Sequence, residues 1–379
     1  MRVLSIGLDS RVADADSEGH AVRWAREISR LVDEYVIIVE THARTSPVSL
    51  ANNVMVYPVP ASKWSFSVKG RLLARRIHKA RPFDVCTAED PIRAGLSAAL
   101  FSRRTGVPLN IENHSRHINN PHWIHQRFHH RYYNRIARWV VRRADTIRIY
   151  SPAQEQALLD LGIARERICA IPAPAPNPYP PMDQAGARAS LGLPPTGRIV
   201  LTAGRMVPTK NIDTLLRAFH RLPDLYTREN VHLVLAGDGI SRSGWEALSR
   251  QLDMAERVSW LGQVPESVMP ALYQAADVFI TTSKDETGPR TVLEAFAAGC
   301  PVIATPDVGA VHFGILHNGV TGWVIKPCDI GGFSGAIREA LDALPEAREK
   351  AKVGQSRLER YSYTDIARQV VDLWQKTAA

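Results

Sequence analysis

Short runs of β-branched and aliphatic residues recur along the chain, separated by stretches whose apolar positions return every three to four residues. The short runs predict buried strands at residues 3–7, 36–40, 54–59, 84–88, 109–112 and 146–150. Helical periodicity fills several of the gaps, at 21–32, 92–104 and 154–161. Strands alternating with helices in this way point to βαβ units and a largely parallel sheet. The rhythm then repeats. Strands are predicted at 199–203, 231–236, 258–261, 278–282 and 301–304, with helices through 215–220 and 243–252. Two α/β halves are the economical reading.

Between the halves, residues 172–181 read PAPAPNPYPP, six prolines in ten positions. Proline removes a backbone donor and fixes φ, so this segment forms neither a central strand nor a helix. The expected division is an N-terminal domain at 1–171, a linker at 172–188, a C-terminal domain at 189–355 and a terminal helix at 356–379 that crosses back to the N-terminal domain. In the terminal helix Ile366, Val370, Leu373 and Trp374 fall on one face.

Length supports the division, because 379 residues exceed what one hydrophobic core usually serves. The 45% hydrophobic and 22% charged content is that of a soluble globular enzyme. No apolar run approaches the ~18–20 residues that span a bilayer, and the start MRVLSIG reads as a first buried strand rather than a signal peptide. Four scattered cysteines have no metal-type spacing and suit free thiols in a reducing cytoplasm.

Charge adds something that periodicity does not. Of the net +9, most belongs to the N-terminal half: residues 101–150 hold ten arginines against Glu112 and Asp145. Residues 67–81 add six further cations and no acid. From Trp123 to Arg142 an apolar stripe (Ile124, Phe128, Tyr132, Ile136, Trp139 and Val140) runs beside Arg127, Arg131, Arg135, Arg138 and Arg142. A helix of this kind suits an anionic membrane surface, its arginine stems lying on apolar ground while their heads meet anions. A core-packed helix with a solvated edge is the plainer alternative. No nucleic-acid motif accompanies the charge.

The candidate chemistry lies at 283–305, SKDETGPRTVLEAFAAGCPVIAT. Glu286 falls in a loop at the carboxyl end of a predicted strand, where open α/β sheets take ligands. Pro289 suits the first turn of a helix that carries Glu294 and stops at Gly299. Such a helix start offers free N–H groups to a phosphate. Gly237-Asp-Gly239 lacks a third glycine, since Arg242 stands where a dinucleotide fingerprint would have one. Asp14 and Asp16 spell a metal-binding acid pair but read as solvated loop acids.

The E-x7-E of Glu286 and Glu294, followed by LEAFAAGCPVIAT, resembles the signature of glycosyltransferase family 4, retaining enzymes on the double-Rossmann GT-B fold. AGRMVPTKN at 203–211, LVLAGDGISRSGWEAL, RVSWLGQVPESVMPALYQAADVFITTS, IENH and ADTIRIYSPAQEQAL resemble other family segments, so the likeness covers nearly the whole chain. It implies two doubly wound Rossmann-like domains facing a central cleft. By resemblance, Arg205 and Lys210 grip the donor diphosphate, Glu294 takes the ribose hydroxyls, and Glu286 holds the donor sugar beside the Gly288 and Pro289 loop. His114 lines the sugar pocket, and Leu261 and Gly262 offer backbone to the base. Gly237 belongs with the donor loops, while Gly19 stands alone where the family has a glycine pair near the phosphates.

The expected protein is thus a retaining glycosyltransferase that needs no metal or cofactor. It would move a hexosyl unit from a UDP- or GDP-sugar to a glycan or lipid-linked acceptor in polysaccharide or glycolipid assembly. It would do so in the cytoplasm, peripheral at the inner face of the membrane. A nucleotide-sugar epimerase or an inverting transferase on the same fold is the competing enzyme. A catalytically silent nucleotide-binding scaffold at the membrane is the alternative of another class.

Overall fold

The computed structural model describes all residues except 15–18, 43–45, 63–64, 285 and 289, together with the side chain of His122. Its contacts divide the chain into two compact units, Met1–Pro174 with Tyr363–Ala379, and Ala175–Ser362. Each is built on its own sheet.

The first unit contains the strands β1 (Arg2–Gly7), β2 (Glu34–Thr41), β3 (Val48–Ala51), β4 (Val54–Pro60), β5 (Val85–Ala88), β6 (Leu109–Asn113), β7 (Thr146–Ile149) and β8 (Ile168–Ala170), in the order β3-β4-β2-β1-β5-β6-β7-β8. All pairs are parallel except β3 with β4. Its helices are α1 (His20–Ser29), α2 (Ser65–Ala80), α3 (Arg93–Thr105), α4 (Pro121–Gln126), α5 (Phe128–Arg143) and α6 (Glu155–Leu159). The short strands β3 and β8 and the helix α2 have no counterpart in the periodicity reading. In α2 five cations interrupt the apolar pattern, and β3 and β8 are too short to show an alternation.

The helices α2, α3 and α5 form one layer. Gly70 of α2 lies close to Ser97, and Gly95 of α3 lies close to Val140. Their apolar faces join Leu4, Ile6, Cys86, Ala88 and Ile111 in one core. The other face of the sheet is more polar, with Thr87 Oγ1 donating to Asn110 Oδ1 at 3.0 Å.

The second unit holds α7 (Gln184–Ser190), β9 (Ile199–Ala203), α8 (Ile212–His220), α9 (Pro223–Arg228), β10 (His232–Ala236), α10 (Arg242–Gln251), β11 (Val258–Gly262), α11 (Met269–Ala275) and β12 (Val278–Ile280). It continues through α12 (Arg290–Ala297), β13 (Val302–Ala304), α13 (Gly309–His312), β14 (Trp323–Val324), α14 (Ile330–Asp342) and α15 (Leu344–Arg357). The sheet order is β11-β10-β9-β12-β13-β14, parallel throughout the described pairs. At its base Asp277 is fully buried and accepts from Arg188 and from the Ile199 amide, both at 2.8 Å. A buried carboxylate requires such partners.

Two expected boundaries shift. The second unit begins at Ala175, and residues 184–188 of the anticipated linker belong to the helix α7, capped by Asp183 on the Gly186 amide. The proline run places two of its remaining donors on this unit, Ala175 N–H with the Tyr361 carbonyl at 2.7 Å and Tyr179 N–H with the Ala297 carbonyl at 2.8 Å. Residues 356–362 complete the second unit, and the terminal helix α16 (Tyr363–Ala378) groups with the first. There Ile366, Val370, Leu373 and Trp374 are buried, with Trp374 Nε1 donating to Asn110 at 3.3 Å.

The basic helix expected from Trp123 to Arg142 is broken. Arg127 is extended (φ −147°, ψ 145°) and separates α4 from α5. Trp123 stacks between His117 at 4.3 Å and His130 at 4.2 Å, an aromatic sandwich that folds α4 back on α5 instead of prolonging it. The apolar stripe also divides. Ile136 and Val140 are core residues, whereas Phe128 and Tyr132 are exposed beside the arginines. Among the described residues no helix is long and apolar enough to cross a membrane.

Candidate functional site

In the second sheet the chain leaves β9 toward β10 on one side and β12 toward β13 on the other, so the loops after β9 and β12 meet at a topological switch point. Crevices of this kind are the usual ligand sites of open α/β sheets. The hollow is lined by Thr202, Gly204, Arg205, Met206, Lys210 and Thr281, among others. Two glycines let the loops after β9 and β10 close against each other. A Cβ on Gly237 (φ 131°) would lie 1.9 Å from the Gly204 carbonyl oxygen, and one on Gly239 (φ 157°) 2.4 Å from that of Met206. Gly237, read from the sequence as a donor contact, therefore has a packing reason of its own to be glycine.

Lys210 ends a 3-10 turn, and Asn211 after it is buried in the left-handed region at φ 54°. Asn211 Nδ2 donates to the Thr282 carbonyl at 3.2 Å, and Thr282 Oγ1 donates to the Lys210 carbonyl at 2.9 Å. These bonds bolt the Lys210 backbone to the loop that carries Glu286. The Lys210 ammonium makes a hydrogen-bonded ion pair with Glu286 Oε2, and Ser283 Oγ donates to the same oxygen at 3.1 Å. The Glu286 backbone is held in turn by the 307–309 segment, its N–H on the Asp307 carbonyl and its carbonyl on the Gly309 N–H. Arg205 is exposed at the mouth of the hollow, and among the described residues no side chain binds its guanidinium. The group can hold an anion between Arg205 and Lys210 with a carboxylate beside it for hydroxyl donors.

Glu294 lies on α12 and is buried. Its Oε2 accepts from the Tyr273 hydroxyl at 3.0 Å, and its Oε1 from Arg290 at 3.2 Å, which also reaches Glu266 at 2.9 Å. Burial, then the nearby Glu294 charge, raises the Tyr273 phenol well above its ordinary value, so it remains a donor. Glu294 retains free lone-pair directions after these bonds. Gly299, at φ 69°, ends the helix, and the Cys300 amide returns to the Ala295 carbonyl at 2.9 Å. The two glutamates thus have separate partners rather than a shared bond. Gly288 accepts from the Arg290 amide at 2.9 Å, while Pro289 lies outside the described residues. Leu261 of β11 packs on the core, and the Gly262 carbonyl accepts from Gly237 N–H at 2.6 Å.

His114 stands just past β6 in the first unit, half-exposed, its ring stacked on Tyr150 at 4.1 Å. Its Nε2 lies 3.3 Å from Glu112, which also accepts from the Tyr150 hydroxyl at 2.5 Å and has Arg148 at 3.4 Å. Burial alone would raise the Glu112 carboxyl. Arg148, His114 and Tyr150 together outweigh it and bring the value down to about 2. Glu89, past the end of β5, is pushed up to about 7 by burial, which the Leu8 amide (2.9 Å) and then the nearby His114 offset only in part. It crowds Gly7, where a Cβ would come within 2.6 Å of its carboxylate.

Sequence reasoning selected His114 and missed the Glu112, Arg148 and Tyr150 support. Alternation on strands was the available signal, since residues 112 and 114, like 148 and 150, share a face. Glu89, Tyr273 and Ser283 were missed as well. Gly19 is the N-cap of α1. Asp14 follows a short turn, Asp16 lies outside the described residues, and among the described residues no three metal-ligating side chains gather.

Residues 183–355 match the family model described as glycosyl transferases group 1, and residues 18–174 match a glycosyl transferase 4-like domain. A D-inositol 3-phosphate glycosyltransferase of Mycolicibacterium gilvum is 34% identical over 192 residues, 49% of this chain and 41% of that protein. The chain therefore spans less than half the length of this relative. Along its whole length the fold is similar to sucrose-phosphate synthase from Thermosynechococcus elongatus, with a TM-score of 0.83, 20% identity and 99% of each chain covered. Anabaena Alr3699/HepE in complex with UDP-glucose aligns with a TM-score of 0.77 at 20% identity, over 99% of this chain and 100% of that one. With one matched domain on each of its two sheets, this chain belongs to the group 1 glycosyl transferases, family 4, and has the GT-B fold.

Proposed function

We infer that this protein is a retaining, metal-independent glycosyltransferase that moves a hexosyl unit from a nucleotide sugar to a hydroxyl of a glycan or lipid-linked acceptor. The observation that carries the reading is the Lys210–Glu286 ion pair at the β9/β12 switch point, with Arg205 beside it. A donor diphosphate placed there takes Lys210 and Arg205 as counter-charges, which matter most as the sugar–phosphate bond breaks and charge builds on the leaving oxygen. Glu286, relieved of Lys210, accepts from sugar hydroxyls, and Glu294 accepts from the ribose. The acceptor oxygen bonds to the anomeric carbon on the face the phosphate leaves, and the departing phosphate takes the acceptor proton. His114, ordered by Glu112 and Tyr150 at the carboxyl edge of the first sheet, keeps the sugar-side role that the family resemblance gives it.

The neighbour bound to UDP-glucose makes that sugar the first donor to try. The cations of α5, Arg131, Arg135 and Arg138, with Arg127 before it, favour an anionic membrane and a role at its cytoplasmic face. A thermal-shift panel of UDP, GDP and ADP, each with its sugars, followed by a product assay in excess EDTA, tests the reading. Stabilisation by none of them would sink it, and loss of transfer in EDTA would return a metal to the mechanism.

A further inference from the structure

Among the described residues, every exposed large hydrophobic side chain of the first unit lies on α2 or α5. Val68 and Leu72 of α2 are 50% and 51% exposed, and Phe128 and Tyr132 of α5 are 90% and 55% exposed. Isolated exposed apolar residues are ordinary; an aromatic nine-tenths exposed at the head of a helix in a well-packed domain asks for a partner. The two helices flank α3 in one layer, so both pairs belong to the same side of the sheet.

Topology also puts them at one end. β4 and β6 are parallel, and each hands the chain to its helix region at its carboxyl end, while β5 and β7 begin where α2 and α5 finish. The first halves of α2 and α5 thus lie near the carboxyl edge of the sheet, the edge at which His114 stands. Val68 and Leu72 occur in the first half of α2, and Phe128 and Tyr132 in the first half of α5.

The charge around them has one sign. Lys69 and Arg71 share the first half of α2 with its apolar pair, Arg131 and Arg135 share the first half of α5 with its own, neither helix carries an acid, and Arg93 at the start of α3 is paired with the buried Glu40. Exposed apolar and aromatic side chains within a purely cationic field match the boundary of an anionic bilayer, where apolar groups enter the acyl margin and cations meet headgroup phosphates. A protein partner would meet a largely unsatisfied positive field unless strongly acidic, and an RNA would leave Val68 and Leu72 without purpose.

We propose that α2 and α5 together form a two-helix membrane-docking surface, with Val68, Leu72, Phe128 and Tyr132 entering the interface of an anionic bilayer. The carboxyl edge of the first sheet then faces the lipid, which suits a lipid-linked acceptor hydroxyl. This rests on the membrane reading of α5 and extends it to a second helix, to insertion and to an orientation.

The test is co-sedimentation of the full chain with phosphatidylcholine vesicles, with and without phosphatidylglycerol, using Val68→Ser/Leu72→Ser and Phe128→Ser/Tyr132→Ser double variants. Thermal unfolding and UDP binding, the latter in the second unit, check that each variant is folded. The wild type should bind only the phosphatidylglycerol vesicles, and each double variant should lose about tenfold in partitioning, from the apolar area withdrawn. If the wild type ignores both vesicle types, the α5 membrane reading fails and this surface with it. If it binds and the serine variants bind equally well, charge alone suffices and the insertion surface is refuted. Loss in the α5 variant alone would refute the part given to α2.

Discussion

Replacing Glu286 by glutamine should tighten the binding of a nucleoside diphosphate while it abolishes sugar transfer. The Lys210 ammonium is bound to Glu286, and the two side chains are 18% and 22% exposed. A diphosphate must draw Lys210 away from that carboxylate before it can use the charge. At an effective dielectric of about 20 the gross attraction of two charges ~4 Å apart is about 4 kcal/mol. Desolvation and the diphosphate's own compensation leave about 1 kcal/mol of it as a net opposing term. Glutamine keeps the shape and the acceptor for Ser283 Oγ but lacks the charge. The expected outcome is therefore a UDP dissociation constant about fivefold lower in Glu286→Gln, read by titration calorimetry, with transfer from UDP-glucose lost. Raised ionic strength should shrink the gap, because it screens what remains of the ion pair. A variant that binds UDP no more tightly than the wild type would refute the idea that Lys210 is held in reserve by Glu286. One that kept full transfer would refute the sugar-holding role.

Two further outcomes depend on groups the motifs did not reveal. Tyr273→Phe removes the 3.0 Å hydrogen bond that orients Glu294 and should raise the UDP dissociation constant about fivefold, a hydrogen bond of about 1 kcal/mol; an unchanged constant would mean that Arg290 alone suffices. Glu89 has an ordinary value of 4.5 raised to about 7, so across that window the folded chain holds a proton that the unfolded chain has lost. Stability then falls as pH rises from about 4.5 to 7, by up to about 3 kcal/mol. Glu89→Gln, which still accepts from Leu8 N–H and leaves His114, Glu112 and Asp9 in place, should match the wild type in melting temperature near pH 4.5 and exceed it near pH 8. A difference independent of pH would rule this out. Glu112 acts in the opposite sense in both proteins, its contribution lost as pH falls from 4.5 toward 2.

The fold was legible where burial on both faces left continuous apolar runs. β9, β10 and β1 were found within a residue or so because parallel central strands carry little else. Elements at the margins left no such record. β14 has two residues and β3 lies antiparallel at an edge, so neither shows a period long enough to detect. α2 was hidden for a different reason. Its buried face is built from Phe66 and the small residues Ser67, Gly70 and Ala74, which let it approach α3 closely but hardly register as apolar periodicity. Trp123 shows the limit of helical spacing itself. The stripe from Ile124 to Val140 is continuous in sequence, yet aromatic stacking of Trp123 with His117 and His130 outweighs continuation through Arg127.

For the site, motif spacing located the residues and said little about their partners. Glu286, Glu294, Arg205 and Lys210 were all named from the chain, but nothing in an eight-residue interval says that the first glutamate reaches Lys210 on a different loop. That meeting depends on sheet order: β9 and β12 are neighbours although 75 residues separate Ala203 from Val278, and their loops share the bonds of Asn211 and Thr282. The same holds for Glu89, which matters because β5 lies beside β1 and brings its carboxylate over Gly7 and Leu8. A site composed at a switch point is defined by which strands are adjacent, and adjacency is a property of the closed sheet. Chemistry that one loop carries can be read in advance, whereas the charge state and readiness of that chemistry are set by the neighbouring strand's loop. Glu286 and Glu89 are the two carboxylates at which this difference can be measured.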